Sequence, residues 1–96
     1  MYIPYGHQTI DEEDIQAVVD VLKSDYLTTG PKVTEFEQKV AEYVGAKYAV
    51  AVNSGTAALH IACLAAGISK GDEVITSPIT FAASSNCVLY CGGTPV

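Results

Sequence analysis

The chain has 96 residues with five lysines, no arginine and eleven acidic residues, which give a formal charge of −6. Apolar residues make up 49% of it and charged residues 17%, a balance that excludes an intrinsically disordered tail. The acidity argues against a nucleic-acid surface, and no apolar run approaches the roughly 18 residues of a membrane span. Three cysteines inside apolar segments are typical of the reduced thiols of a cytoplasmic protein.

The first half of the chain predicts two amphipathic helices. Asp11 and the acids at 12–14 form a typical helix start, and apolar residues spaced along 15–22 supply one buried stripe. The Gly-Pro pair at 30–31 marks a loop. A second helix is predicted over 33–44, with its apolar residues turned inward and Gly45 as its stop.

The second half alternates between strands and helices. Short apolar runs predict strands at 48–52 and 73–77 and a third, cut short, at 94–96, and Ala/Leu-rich or apolar segments predict helices at 57–66 and 81–90. Strand–helix–strand–helix–strand indicates the α/β class with a parallel sheet. Two strands and the start of a third cannot close such a sheet, so we expect this to be the opening part of a larger α/β domain.

The most informative local signal follows the first predicted strand. Ser54, Gly55 and Thr56 come where a helix begins, and a helix N-terminus presents unpaired N–H groups and a positive dipole end to an anion. A simple helix cap by Ser54 or Asn53 is the alternative, and the spacing does not decide between them. Neither G-x-G-x-x-G nor G-x-x-x-x-G-K-[ST] occurs, so any phosphate bound here would be single and small.

Two further segments could contribute to a site. Phe81 follows a predicted strand, at the same carboxyl edge of the sheet as residues 54–56, and its ring could stack on a planar ligand. A core phenylalanine is the alternative, because burial is the default for this residue type. Thr28, Thr29 and Gly30 form either a substrate loop or a turn.

No catalytic or metal-binding set can be assembled from the residues. Cys87 and Cys91 share a helix face, but His7 and His60 are isolated, so we predict buried thiols and no metal site. Serine–histidine–aspartate and cysteine–histidine arrangements are equally lacking.

Taken in order, these segments resemble the N-terminal portion of the DegT/StrS family of sugar aminotransferases. These are pyridoxal phosphate (PLP) enzymes with the aspartate-aminotransferase-like fold, known as fold type I. The resemblance implies an N-terminal helical segment at 1–45 and the truncated start of the PLP-binding large domain at 46–96. The segments that carry it are 14–18, Leu27-Thr28-Thr29-Gly30-Pro31, Phe36-Glu37, Asn53-Ser54-Gly55-Thr56-Ala57-Ala58-Leu59, Gly71-Asp72-Glu73-Val74-Ile75, Thr80-Phe81 and Gly92-Gly93-Thr94-Pro95-Val96.

The resemblance also implies roles for individual residues. Ser54, Gly55 and Thr56 would bind the PLP phosphate, Phe81 would stack on the pyridine ring, and residues 28–30 would lie near the mouth of the active site, against the substrate. The family's Schiff-base lysine would lie beyond residue 96. None of the five lysines present can replace it, so this chain by itself contains no catalytic residue and should not transaminate.

The segments 3–6, 23–27 and 86–92 look most like one branch of that family. Its members aminate C4 of a UDP-linked 4-keto-6-deoxy-N-acetylhexosamine, with glutamate as the amino donor. The resemblance thus implies a nucleotide sugar and glutamate as substrates, a cytoplasmic location and a homodimer, without nucleic-acid or membrane partners. Two alternatives stay open: a PLP-dependent sugar dehydratase, which has histidine in place of the lysine, and a non-catalytic module that binds phosphate or a nucleotide sugar.

Overall fold

The computed structural model describes all residues from 1 to 96, which form two compact units, residues 1–49 and residues 50–96. None of the helices combines the length and the apolar character needed to cross a membrane. The elements are α1 (Glu12–Leu22) and α2 (Pro31–Val44) in the first unit, and α3 (Gly55–Ala65), β1 (Glu73–Val74), α4 (Ala83–Tyr90) and β2 (Thr94–Pro95) in the second.

The predicted start of α1 is confirmed, and a reciprocal cap explains it. The Asp11 carboxylate accepts hydrogen bonds from the backbone N–H groups of Glu13 and Asp14, each at 3.0 Å. The Asp14 carboxylate in turn accepts from the Asp11 N–H at 3.1 Å. The cap satisfies N–H groups that have no acceptor within the helix, and it places three acids at the positive end of the helix dipole.

Helix α2 begins two residues earlier than predicted. Pro31 occupies its first turn, where the fixed φ of proline suits a helix and its missing N–H is of no consequence. Lys32 is therefore helical as well. The predicted stop is confirmed, because Gly45 adopts a left-handed conformation with φ of 68°.

A ladder of charges runs along the exposed side of α2. Glu35 accepts from Lys32 Nζ at 2.6 Å and from Lys39 Nζ at 2.8 Å, pairs with i,i+3 and i,i+4 spacing. The hydrogen bond from Lys32, followed by that from Lys39, lowers the pKa of Glu35 from an ordinary 4.5 to about 2. The same contact raises the pKa of Lys39.

The apolar faces of the first unit are largely exposed, contrary to the inward packing that we predicted. On α2, Phe36 is 59% exposed and Tyr43 is 92% exposed. Ala41 is the buried residue of that helix. Periodicity selects which side of a helix is apolar, whereas burial also requires a second surface of matching shape.

The second unit contains a parallel two-stranded sheet, as its strand–helix–strand order predicts. β1 pairs with β2 in the register Glu73↔Thr94 and Val74↔Pro95, and α4 lies between them in the chain. Bonds of 2.8 Å from Thr94 N to the Asp72 carbonyl and from Val96 N to the Val74 carbonyl hold the register. Both strands are shorter than predicted, at two residues each.

The strand predicted at 48–52 is wrong for this structure, in which those residues belong to no strand. The run has the apolar composition of an interior parallel strand. An apolar composition shows only that the side chains suit a strand, however. The strand itself is defined by backbone hydrogen bonds to a neighbouring strand. The sheet consists of β1 and β2 alone.

Helix α4 provides the core of the second unit by packing against α3 and β2. Three residues of α4, Ala83, Cys87 and Val88, are buried, and Val88 is only 1% exposed. Gly93 approaches this core so closely that an added Cβ would lie 2.9 Å from Ile68 Cγ2 and 3.0 Å from Val88 Cγ1. The turn into β2 therefore depends on the absence of a side chain at position 93.

We expect Gly93→Ala to destabilise the protein by about 1–3 kcal/mol, because the added methyl group overlaps packed side chains. Urea unfolding measures the change. Gly6→Ala is the matched control, since a Cβ at Gly6 would meet no atom within 4 Å. Equal stability of the two variants would show that the close approach at Gly93 is not a constraint.

We also expect an acid-dependent weakening of α2. The folded pKa of Glu35 lies below its unfolded value, so its stabilising effect is complete above the unfolded value near 4.5 and is lost as the pH falls towards about 2. A carboxyl-carbon NMR titration should report the lowered pKa. Because the Glu35 side chain remains in contact with solvent, high salt or Lys39→Met should move its pKa back up. An unchanged value under both conditions would contradict the ladder.

Candidate functional site

The start of α3 is held by Ser54. Its Oγ accepts a hydrogen bond from Ala57 N at 3.1 Å, and its carbonyl accepts from Ala58 N at 3.0 Å. The helix cap that we considered as an alternative is thus present. The cap uses the N–H groups of Ala57 and Ala58, which leaves those of Gly55 and Thr56 without an acceptor in the chain.

The electrostatics of this helix start differ from those of α1. The first turn of α3 contains no acidic residue, whereas that of α1 contains three. No aspartate or glutamate occurs anywhere between Val50 and Gly71. The positive end of the α3 dipole therefore meets no carboxylate of its own segment.

There is also open space at this point. A Cβ added at Gly55 would meet no atom within 4 Å. A group of phosphate size can therefore approach the backbone of Gly55 and Thr56, and the Thr56 hydroxyl lies in the same turn. Ser54, Gly55 and Thr56 are together a capped but unoccluded helix start.

Phe81 lies just before α4 rather than inside it. The predicted helix start at 81 is wrong by two residues, because Ser84 N donates to the Phe81 carbonyl at 3.0 Å and forms a tight turn ahead of Ala83. The Phe81 side chain is 78% exposed. The alternative of a core phenylalanine does not hold in this chain.

A cavity of about 340 Å³ lies beside Phe81, at the carboxyl ends of β1 and β2. Hydroxyl groups and small apolar groups share its wall. Ser54, Gly55 and Thr56 do not line it. The lining residues are Thr76, Ser77, Pro78, Thr80, Phe81, Ala82, Ser85, Pro95 and Val96.

A pair of hydroxyls on either side of Phe81 was not predicted from the sequence. Thr80 Oγ1 and Ser84 Oγ are 3.0 Å apart. Nearby, Ser85 Oγ donates to the Ala82 carbonyl at 3.1 Å. The i,i+4 spacing of Thr80 and Ser84 around an aromatic residue was the available signal. That spacing predicts a contact only once the start of α4 is known.

The loop at Thr28, Thr29 and Gly30 belongs to the first unit. Thr29 is the one non-glycine residue with a positive φ, at 47°. Gly30 packs against Tyr26 so closely that an added Cβ would lie 2.8 Å from Tyr26 Cβ. Tyr26, Thr29 and Gly30 help to line a cavity of about 210 Å³, whereas Thr28 does not.

The cysteines and His60 lie at the contact between α3 and α4. Burial, together with the neighbouring thiols of Cys87 and Cys91, raises the pKa of Cys63, which favours the unreactive thiol. The rings of His60 and Tyr90 meet edge to face with centroids 5.3 Å apart. The chain holds no group of three or more His, Cys, Asp or Glu side chains that could bind a metal ion.

The fold matches that of the PLP-dependent sugar aminotransferases of fold type I. The sequence profile of the DegT/DnrJ/EryC1/StrS aminotransferase family matches residues 8–96. The chain therefore belongs to this family, which confirms the resemblance and the predicted α/β fold class.

Two relatives show how far the similarity extends. The spore coat polysaccharide biosynthesis protein SpsC of Bacillus subtilis is 53% identical over 95 residues, which are 99% of this chain and 24% of the relative. The UDP-4-amino-4,6-dideoxy-N-acetyl-beta-L-altrosamine transaminase of Campylobacter jejuni is 50% identical over 90 residues, 94% of this chain and 24% of that protein. The chain thus spans about a quarter of the length of these relatives.

Solved structures agree with the family assignment. Spr1654 from Streptococcus pneumoniae, solved in PLP and PMP forms, superposes with a TM-score of 0.85 at 39% identity, covering 98% of this chain and 24% of that chain. The aminotransferase from Psychrobacter cryohalolentis gives 0.83 at 40% identity over 97% and 24%. The predicted cofactor class, pyridoxal phosphate, is confirmed for this family by these forms.

Proposed function

We propose that this chain supplies the phosphate-binding helix start and the ring-stacking aromatic residue of a nucleotide-sugar aminotransferase. The reaction would move an amino group from glutamate to C4 of a UDP-linked 4-keto-6-deoxy-N-acetylhexosamine. Membership of the family and the named activity of the Campylobacter relative support this substrate class. Bound PLP supplies the electron sink for such a transfer.

The observation that carries the proposal is the unoccluded start of α3. The N–H groups of Gly55 and Thr56 lack an acceptor in the chain, and a Cβ at Gly55 would point into open space. A dianionic phosphate there would accept hydrogen bonds from both N–H groups and from the Thr56 hydroxyl. It would lie at the positive end of the α3 dipole, which no carboxylate of that segment neutralises. The residues present therefore fit the phosphate of PLP, while Ser54 holds the helix start in place through its cap.

Phe81 supports the second half of the proposal. Its ring is exposed beside the cavity formed at the ends of β1 and β2. An aromatic face in that position can pack flat against a pyridine ring and exclude water from that side. Stacking requires the flat face and no polar atom.

Several further assignments belong to the same proposal. Residues 1–45 would form the N-terminal helical segment and residues 46–96 the start of the PLP-binding domain. Thr28, Thr29 and Gly30 would contact the sugar nucleotide. The lysine that anchors the cofactor would come from outside this chain, and the complete enzyme would act as a cytoplasmic homodimer.

We expect Thr56→Ala to weaken PLP binding by about 1–3 kcal/mol in the complete protein, because a hydrogen bond to a charged phosphate is lost. Gly55→Ala should weaken it as well, since the new methyl group would occupy the space that the phosphate needs. Titration of the cofactor-free protein with PLP, followed by absorbance, measures both changes.

The matched control for Thr56→Ala is Thr56→Ser, which keeps the hydroxyl and should keep the affinity. Thermal unfolding without cofactor should be little changed by Gly55→Ala, since the added Cβ meets no protein atom within 4 Å. If Thr56→Ala and Gly55→Ala both bind PLP like the wild type, Ser54–Thr56 is only a helix cap.

For Phe81, we expect the aromatic replacements Phe81→Tyr and Phe81→Trp to retain the cofactor and activity, and Phe81→Ala to lose most of the bound PLP. A flat π face is conserved in the first two variants and removed in the third. Cofactor content after dialysis and steady-state rates measure the effect. Full retention of PLP by Phe81→Ala would rule out the stacking role.

A further inference from the structure

The backbone around Phe81 is tied to α4 at two points. Thr80 and Ser84 share a hydrogen bond between their hydroxyls, 3.0 Å apart, in which either group can donate. Ser84 N also donates to the Phe81 carbonyl at 3.0 Å. Phe81 is therefore enclosed in a short loop that is closed through both a side chain and the backbone.

The closed loop is important because the Phe81 ring has few packing contacts of its own. At 78% exposure, the ring receives little orientation from neighbouring side chains. The backbone at residue 81 then sets the direction of the Cα–Cβ bond from which the ring extends. Threonine is stiff at χ1, so fixing the Thr80 hydroxyl restricts the backbone that leads into Phe81. The other end of the tie is secure, because Ser84 follows Ala83, which is buried in the core.

We propose that Thr80 and Ser84 are positioning residues for the cofactor, and that their hydroxyl–hydroxyl bond holds the backbone at Phe81, and with it the base of the ring, in place at the cavity beside β1 and β2. The inference rests on the proposed function, since it takes Phe81 as the residue that stacks on PLP. Both hydroxyls would affect PLP binding through Phe81 and not by contacting the cofactor. Holding the backbone that carries the ring before the ligand arrives reduces the conformational freedom that binding would otherwise remove.

The experiment compares PLP affinities of cofactor-free variants of the complete protein by absorbance titration. Thr80→Val removes the hydroxyl and keeps the branched shape, while Ser84→Ala removes its partner. Each should weaken PLP binding about three- to tenfold, the range expected for one net hydrogen bond. Because both variants break the same bond, the double variant should bind no more weakly than either single variant. Thr80→Ser keeps the hydroxyl but loses the stiff β-branch, so it should lose less affinity than Thr80→Val. Thr34→Val, an equivalent change on α2, should bind like the wild type.

A cycle with Phe81→Ala separates positioning from a general structural role. If Thr80 acts through the ring, Thr80→Val should cause no further loss of PLP affinity once the ring is removed. The same three- to tenfold loss in the Phe81→Ala background would overturn the inference, because the hydroxyl would then stabilise something other than the ring. Should Thr80→Val fail to fold, Ser84→Ala takes its place in the cycle.

The remaining outcomes distinguish this inference from the function on which it rests. Wild-type affinity in Thr80→Val and Ser84→Ala, with a large loss in Phe81→Ala, overturns the positioning role and leaves the proposed function standing. Wild-type affinity in Phe81→Ala overturns both, since no stacking ring would exist to be positioned.

Discussion

The contact between Gly93 and Val88 is the constraint on which the second unit depends. An added Cβ at position 93 would lie 3.0 Å from Val88 Cγ1, so α4 and the turn into β2 can meet only because Gly93 has no side chain. That approach lets Thr94 N reach the Asp72 carbonyl at 2.8 Å and begins the parallel pairing of β1 with β2. The cavity beside Phe81 forms at the carboxyl ends of these two strands.

The two parts of the proposed cofactor site, the start of α3 and Phe81, depend on interactions of different range. The start of α3 is a local feature: Ser54 caps the helix, and Gly55 leaves space for an anion. The exposed ring of Phe81 depends instead on a turn before α4 and on the buried residues that anchor that helix. Both halves are needed for the function that we propose, because the phosphate and the pyridine ring belong to one ligand.

Local signals in the sequence predicted the helices well. Asp11 and Gly45 mark helix ends where the chemistry of caps and of left-handed residues places them. The strands were predicted less well, because 48–52 forms none and the other two are short. Helical hydrogen bonds close within four residues, so local sequence contains most of the information, whereas a strand needs a partner that is distant in the chain.

The sequence by itself determined the α/β class, the helix start at Ser54–Thr56 and the family to which the chain belongs, because these depend on short motifs and their order. Only the tertiary structure decided that the Phe81 ring is exposed, that Thr80 and Ser84 share a hydrogen bond, and that Gly93 packs on Val88. These are questions of which atoms meet. A one-dimensional pattern states which residues are apolar or polar, and packing alone establishes what each side chain faces.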